Sequence, residues 1–171
     1  MGDTQHREST ADTNPVLGFL RTLGLFLAGR VRFHPEDVGL QLETDDGERY
    51  RVFCRVVIRR EAPPPGALFI VRFTPAHMSV RQNIRFSRLP LLIFMGFRGF
   101  RSKYWCVDDR TGACEGVYEW QTPADAEAYV ASIAFRFMTN RSIPGSVSHR
   151  ILERSDDSPW PISLHHTEVS S

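Results

Sequence analysis

The side chains that could carry chemistry concentrate in one stretch in the middle of the sequence, where aromatic residues alternate with small and polar ones. Tyr104 and Tyr118 offer phenol hydroxyls that can orient the oxygens of a ligand, and Trp120 offers a flat surface for stacking. Ser102 and Cys106 are small enough to leave room beside these rings. The five residues predict a cavity for a flat, apolar ligand, with ordinary core packing as the alternative.

A histidine outside that stretch is a further candidate. His77 follows a predicted strand and stands where we expect the next helix to begin, so the helix dipole would favour its neutral form as a base or as a ligand for a metal or heme. An exposed or capping histidine is the alternative. The sequence has no glycine-rich phosphate loop, nucleophile elbow, paired catalytic carboxylates or metal-ligand spacing. We therefore expect no cofactor and no metal.

Composition limits the remaining possibilities. With 171 residues, 42% of them hydrophobic, the chain can bury one core. The net charge of +1 gives no global field that would attract nucleic acid. Cys54, Cys106 and Cys114 match no zinc or redox spacing, which predicts free thiols in a reducing compartment. The polar N-terminus lacks a secretory pattern, so we expect a cytoplasmic protein.

Hydrophobic periodicity divides the chain into four parts. These are a disordered arm (1–14), an extension with a helix and a β-hairpin (15–66), a domain of strand, helix, strand, strand, helix and strand (67–154), and a tail (155–171). The order of elements in the third part predicts an α+β fold of the ferredoxin-like split βαβ type. Its first strand is apolar on both faces, and an uncovered apolar face predicts a partner sheet.

The helix predicted at 15–30 has one strongly apolar side, which includes Leu20, Leu23 and Phe26, while Gly18 falls on the other side. It is shorter than the ~20 residues that span a bilayer. We expect it to pack on its own domain or on a partner subunit. Membrane contact is the alternative, weakened by the few basic residues on its polar side.

A turn fixes the pairing of the predicted hairpin at 99–121. A three-residue loop with Gly112 in the left-handed conformation would place Asp109 opposite Ala113. Counting back from that pair sets Lys103 opposite Glu119 as a cross-strand ion pair. The five residues of the proposed cavity then share one face of the hairpin.

Two further candidate contacts lie nearby. Phe94 belongs to an apolar stretch that could roof a cavity, and Trp105 lies on the opposite face of the hairpin. Parity alone does not decide which face lines the cavity. In the earlier hairpin, Arg51, Arg55 and Arg59 form a stripe that predicts either a solvated strand face or a site for an anionic ligand.

One group of residues points to a known family. The group consists of Gly99, Phe100, Lys103, Trp105, the Gly112 turn, Gly116, Val117, Tyr118, and the capped helix with Ala126, Ala128 and Tyr129. With these residues, the segment 67–152 resembles the YdhR-like monooxygenases of the dimeric α+β barrel superfamily. The resemblance implies a homodimer with face-to-face sheets and a cavity between each sheet and its helices. It also implies a cofactor-independent oxygenase or cyclase that acts on an aromatic or polyketide-like substrate. The alternatives are a non-catalytic ligand-binding or dimerisation domain, and a heme-binding or heme-degrading protein with His77 as its ligand.

Overall fold

The computed structural model describes residues 14–154 and 162–166. Its helices are α1 (Pro15–Leu27), α2 (Val80–Phe86), α3 (Arg88–Phe94), α4 (Pro123–Val130) and α5 (Ile133–Asn140). Its strands are β1 (Val31–Phe33), β2 (Gln41–Thr44), β3 (Arg49–Ile58), β4 (Ala67–Phe73), β5 (Phe100–Val107), β6 (Cys114–Trp120), β7 (Ser148–Glu153) and β8 (Ile162–His165). A 3-10 turn, Pro35–Asp37, follows β1.

The strands form one eight-stranded sheet in the order β7-β4-β6-β5-β3-β2-β8, with β1 also paired to β3. The four strands β7-β4-β6-β5 are antiparallel neighbours, and helices connect β4 to β5 and β6 to β7. This is the expected ferredoxin-like arrangement, which confirms the predicted fold class. Part of the predicted tail is wrong, because residues 162–165 form β8 against β2. The predicted arm, up to residue 13, and the rest of the tail beyond Arg154 lie outside the described residues, His166 excepted.

The sheet curls so that the N-terminal hairpin covers its second face. Leu42 of β2 packs in one buried cluster with Leu68 and Ile70 of β4. At the turn between β2 and β3, Asp46 accepts a 2.5 Å hydrogen bond from Arg72 of β4. Because β2 and β3 bury this apolar face, it no longer requires a partner sheet. The homodimer stays a prediction, and it needs another surface.

Helix α1 packs on the protein with the side that we expected to be exposed. Asn14 caps the helix, but its buried residues are Gly18 and Thr22, while Leu20 is 55% exposed. Gly18 lies so close to the turn after α3 that a Cβ on Gly96 would stand 1.8 Å from the Gly18 carbonyl oxygen. The small residues allow this close backbone contact and leave the large apolar ones facing outward.

Each crossover connection consists of two short helices, α2 with α3 in the first and α4 with α5 in the second. The first helix begins at Val80, since Ser79 and Gln82 form a capping box. The second is interrupted before Ile133, because the Ser132 hydroxyl accepts from a backbone N–H of α5 and starts a new helix. The break changes the helical phase, so Ile133, which would lie on the same side as the buried Tyr129 in one continuous helix, is 60% exposed.

Candidate functional site

The loop between β5 and β6 is one residue longer than predicted. Asp108 pairs with Ala113 through a 2.8 Å backbone hydrogen bond, and its carboxylate accepts a 2.6 Å bond from the Thr111 hydroxyl. Gly112 has a φ of 77°, so the expected left-handed position is confirmed. Four residues, rather than three, therefore lie between the paired ends of the hairpin. A one-residue shift moves the side chains of one strand to the opposite face relative to its neighbour.

The shift rearranges the predicted pairs. Lys103 stands opposite Tyr118, and Ser102 stands opposite Glu119. The predicted Lys103–Glu119 ion pair is wrong, since the Ser102 hydroxyl donates a 2.5 Å hydrogen bond to the Glu119 carboxylate.

The five residues assigned to one face are also divided between the two sides of the sheet. Tyr118 and Trp120 belong to the core beneath the helices, together with Trp105. Tyr104 and Cys106 belong to the cluster inside the curled sheet. The predicted five-residue cavity wall is therefore wrong as a set, although two of its members, Tyr118 and Cys106, line the same cavity. The helix-facing side brings together a different group of side chains.

The centre of that group is the Lys103 amine. Its Nζ donates a 2.5 Å hydrogen bond to the Tyr118 hydroxyl, which lies 3.1 Å from the hydroxyl of Tyr129. The same Nζ lies 4.7, 4.2 and 4.1 Å from the ring centroids of Phe94, Trp105 and Tyr118. No ion pair joins Lys103 to a carboxylate among the described residues. A basic group with aromatic, phenolic and thiol neighbours is thus buried under the helices.

Burial dominates the electrostatics of this group. Desolvation lowers the pKa of Lys103 well below its ordinary value, and the surrounding rings offset part of that effect by cation–π attraction. Burial raises the pKa of Tyr118 well above its ordinary value and that of Tyr129 to about 12. All three directions favour the uncharged forms. The amine can therefore accept a proton, while the two hydroxyls keep theirs.

These side chains border an interior space. A cavity of about 80 Å³ is lined by Lys103, Tyr118 and Tyr129 among others. A second cavity of about 490 Å³ lies beside it, and Trp105 lines both. A Cβ on Gly116 would stand 3.3 Å from the Lys103 Cε and 2.8 Å from the Tyr118 ring. Glycine at this position therefore gives the amine and the phenol their space.

The other candidates lie apart from the amine. His77 is exposed, has a φ of 55°, and precedes the cap of α2, so its predicted place at the helix start is wrong. Trp120 is fully buried but does not border either cavity. The Arg55 guanidinium carbon lies over the Tyr104 ring, 4.5 Å from the ring centroid. Phe94 and Trp105, in contrast, line the smaller cavity with Lys103.

Sequence reasoning treated Lys103 as half of an ion pair and missed its position in the cavity. A compositional signal was available, because Lys103 is the only lysine in the chain, and the other 20 of its 21 basic residues are arginines. Arginine stays protonated in proteins, whereas a buried lysine can lose its proton. A chain that carries its surface charge on arginine and buries its one lysine is atypical.

The arginine stripe of β3 is engaged within the chain. Arg51 donates hydrogen bonds of 2.5 and 2.6 Å to Asp109, and Arg55 donates a 2.5 Å bond to Asp37. These pairs argue against an anion site at Arg51 and Arg55.

A buried carboxyl lies on the other side of the sheet from Lys103. Glu115 accepts a 2.7 Å hydrogen bond from Arg72, and its second oxygen has no partner among the described residues. Arg72 also binds Asp46. Burial raises the pKa of Glu115, and Arg72, which it shares with Asp46, lowers that pKa by less. The net effect is a pKa of about 7.

The fold and site define a ferredoxin-fold protein with a cavity between its sheet and its helices. No protein-family model and no curated protein matches the sequence. Among solved structures, the chain is similar to an uncharacterised ferredoxin-fold protein related to antibiotic biosynthesis monooxygenases, from Listeria monocytogenes. The TM-score is 0.52 and the identity 12%, over 64% of this chain and 66%, just under two thirds, of that one.

Two further structures show the same likeness. A monooxygenase-like protein from Listeria innocua has a TM-score of 0.52 at 14% identity, over 66% of this chain and 67% of that one. A heme-degrading enzyme from Listeria monocytogenes has a TM-score of 0.52 at 14% identity, over 78% of this chain and 92% of that one. At these identities the comparisons establish the fold alone.

The heme of the third neighbour does not fit the residues found here. None of the described residues that line the two cavities is a histidine, and His77 is exposed. Within the described residues, no three His, Cys, Asp or Glu side chains come together as a metal site. No described helix is both long and apolar enough to cross a membrane.

Proposed function

We propose that this protein is a small enzyme of the monooxygenase-like kind, an oxygenase or cyclase in which Lys103 is the general base. The substrate is a flat aromatic or polyketide-like molecule with an acidic C–H or O–H. The observation that supports this most directly is the Lys103 amine, which borders a cavity, has no described carboxylate partner and has a lowered pKa. A desolvated lysine of this kind is suited to act as a general base.

The proposed chemistry needs little from the protein beyond this group. When the amine removes a proton from a carbon beside a carbonyl, the substrate becomes an electron-rich enolate. An enolate can react with dioxygen or attack a second carbonyl of the same molecule and close a ring. The Tyr118 hydroxyl, which is 2.5 Å from the amine, is positioned to hydrogen-bond the developing oxyanion, since its raised pKa keeps its proton in place.

The two adjoining cavities suggest how such a substrate would lie. The larger one, about 490 Å³, is within the size range of ligand pockets and is lined mostly by apolar side chains. The smaller one, about 80 Å³, holds the amine. In our proposal the rings of the substrate occupy the larger space, and the acidic group reaches Lys103 past Trp105, which borders both.

The single lysine makes a direct test possible. Expression with ¹³C-lysine labels only Lys103, so an NMR titration of its Cε resonance resolves the Lys103 pKa. We expect a value below that of an exposed lysine. With an anthrone as probe substrate, an oxygen electrode measures turnover. Lys103→Met keeps a similar volume, and we expect it to lower the rate by about 10²- to 10⁴-fold, as the loss of a general base does.

A pair of matched variants separates the site from general destabilisation. Tyr118→Phe removes the hydroxyl beside the amine and should lower turnover, while Tyr104→Phe removes a hydroxyl on the opposite face of the sheet and should not. Equal rates for wild type and Lys103→Met would refute the proposal. If borohydride traps the substrate on Lys103, the lysine acts as a Schiff-base nucleophile and not as a general base.

Three expectations from the sequence remain predictions alongside this proposal: the relation to the YdhR-like family, the homodimer and the cytoplasmic location. Sedimentation velocity tests the dimer. For the heme alternative, we expect added hemin to give no Soret band that depends on His77, and a band lost in His77→Ala would favour that alternative.

A further inference from the structure

Half of the exposed large apolar side chains among the described residues belong to α1. Val16 is 66% exposed, Phe19 46%, Leu20 55%, Leu23 48% and Leu27 82%. The side of the helix that faces the protein carries Gly18 and Thr22 instead. A helix that packs by its small residues and exposes its large apolar ones has the reverse of the usual orientation on a soluble surface.

Arginines lie on α1 and close to it. Residues 14–34 contain three arginines and no aspartate or glutamate. Burial lowers the pKa of Arg60, and Arg101, Arg30 and Arg21 lie close enough to lower it further. Arg21 of α1 has an interaction of its own, so we call the other three residues, Arg30, Arg60 and Arg101, the arginine group.

Among the described charges that act on Arg60, one is negative. Asp125 is the carboxylate that acts on Arg60, but it is held at the start of α4, where it accepts from the Thr122 backbone N–H at 3.1 Å and from the Thr122 hydroxyl at 2.6 Å. The sequence alone suggested few basic residues near α1. The fold supplies the others from the loop after α1, the end of β3 and the start of β5.

We propose that α1 docks on an anionic lipid bilayer. The helix lies flat in the interface, its exposed Phe and Leu side chains enter the acyl boundary, and the arginine group contacts the headgroups. This inference rests on surface exposure and charge, and it is independent of the proposed enzymatic function.

A second copy of the chain is the other occupant to consider, and charge disfavours it. A two-fold contact over α1 would bring two arginine groups into one interface, where like charges repel. An anionic bilayer would instead neutralise them. The length of α1, 13 residues, also suits a helix that lies along a surface.

Vesicle flotation with the full-length chain tests the proposal. We expect the protein to float with vesicles of phosphatidylcholine and phosphatidylglycerol, but not with phosphatidylcholine alone, and to detach as salt is raised. The double variant Phe19→Glu and Leu20→Glu should abolish binding. Ile133→Glu is the matched control, since it places the same charge at an apolar position on α5 that is 60% exposed, and it should bind like the wild type.

A charge variant tests the arginine group separately. Arg30→Gln should weaken binding to the anionic vesicles about fivefold, the effect expected of one basic residue near such a surface. Thermal unfolding checks that each variant folds. Failure of the wild type to bind, equal binding to both vesicle types, or unchanged binding of the double variant would overturn the proposal. So would a wild-type dimer in sedimentation that the double variant converts to monomer, because a second copy would then cover α1.

Discussion

Glu115 provides the most quantitative test of the curled sheet, because its carboxyl is buried only if β2 and β3 cover the second face. It is 1% exposed and shares Arg72 with Asp46. The perturbation is Glu115→Gln, which keeps the shape and removes the titration.

The direction and size of the expected pH effect follow from the difference in the Glu115 pKa between the folded and unfolded states. Burial raises the pKa of Glu115 from 4.5 to about 7 in the folded protein. Between these two pH values the folded state holds a proton that the unfolded state has released, so the free energy of unfolding falls as pH rises. The stabilisation relative to an ordinary carboxyl is complete below pH 4.5 and lost above about 7. A shift of this size corresponds to about 3 kcal/mol.

Urea denaturation at a series of pH values measures this effect. The difference in unfolding free energy between wild type and Glu115→Gln should change by about 3 kcal/mol from pH 4.5 to 7. The other titratable groups are common to both proteins and cancel in this difference. Glu153→Gln, at the exposed end of β7, is the control and should follow the wild type. A pH slope that survives in Glu115→Gln would refute the reasoning.

The remaining predictions concern glycines. Gly96→Ala places a Cβ 1.8 Å from the Gly18 carbonyl oxygen, so urea unfolding should show a loss of about 1 to 3 kcal/mol. Gly24→Ala, in α1 with nothing within 4 Å of its Cβ, should raise stability by about 0.4 to 1 kcal/mol. If both variants have the same effect, α1 does not pack as described. Gly116→Ala crowds Lys103 and should lower anthrone turnover by about 10²-fold while the protein stays folded. An unchanged rate would mean that the Lys103 amine takes no part in catalysis.

Elements with strong local patterns were predictable from the sequence. The alternation along β3 and the Gly47 turn, with a φ of 78°, identified the first hairpin, and the order of strands and helices identified the fold. Thr122 and Asn14 cap their helices as expected. These features depend on neighbouring residues alone, which is why one sequence suffices for them.

The hairpin register was not predictable in the same way. Asp108 and Asp109 stand next to each other, and either can begin the turn that ends at Gly112. The structure uses the Asp108 side chain to bind the turn, while Asp109 binds Arg51 on a strand 58 residues earlier in the chain. The choice between two adjacent aspartates therefore depends on a distant contact, and it decides whether Tyr104 or Lys103 faces the helices.

The N-terminal extension links these features, since its strands close the sheet and its helix carries the exposed apolar face. Because β2 and β3 bury the face where a partner sheet was expected, the large apolar surface that remains is on α1. Phe26 belongs to that helix and lines the larger cavity, while Leu20 and Leu23 face outward. If α1 lies on lipid, a hydrophobic ligand dissolved in the bilayer would meet this helix on its way to Lys103, so the docking surface and the proposed site adjoin through one side chain.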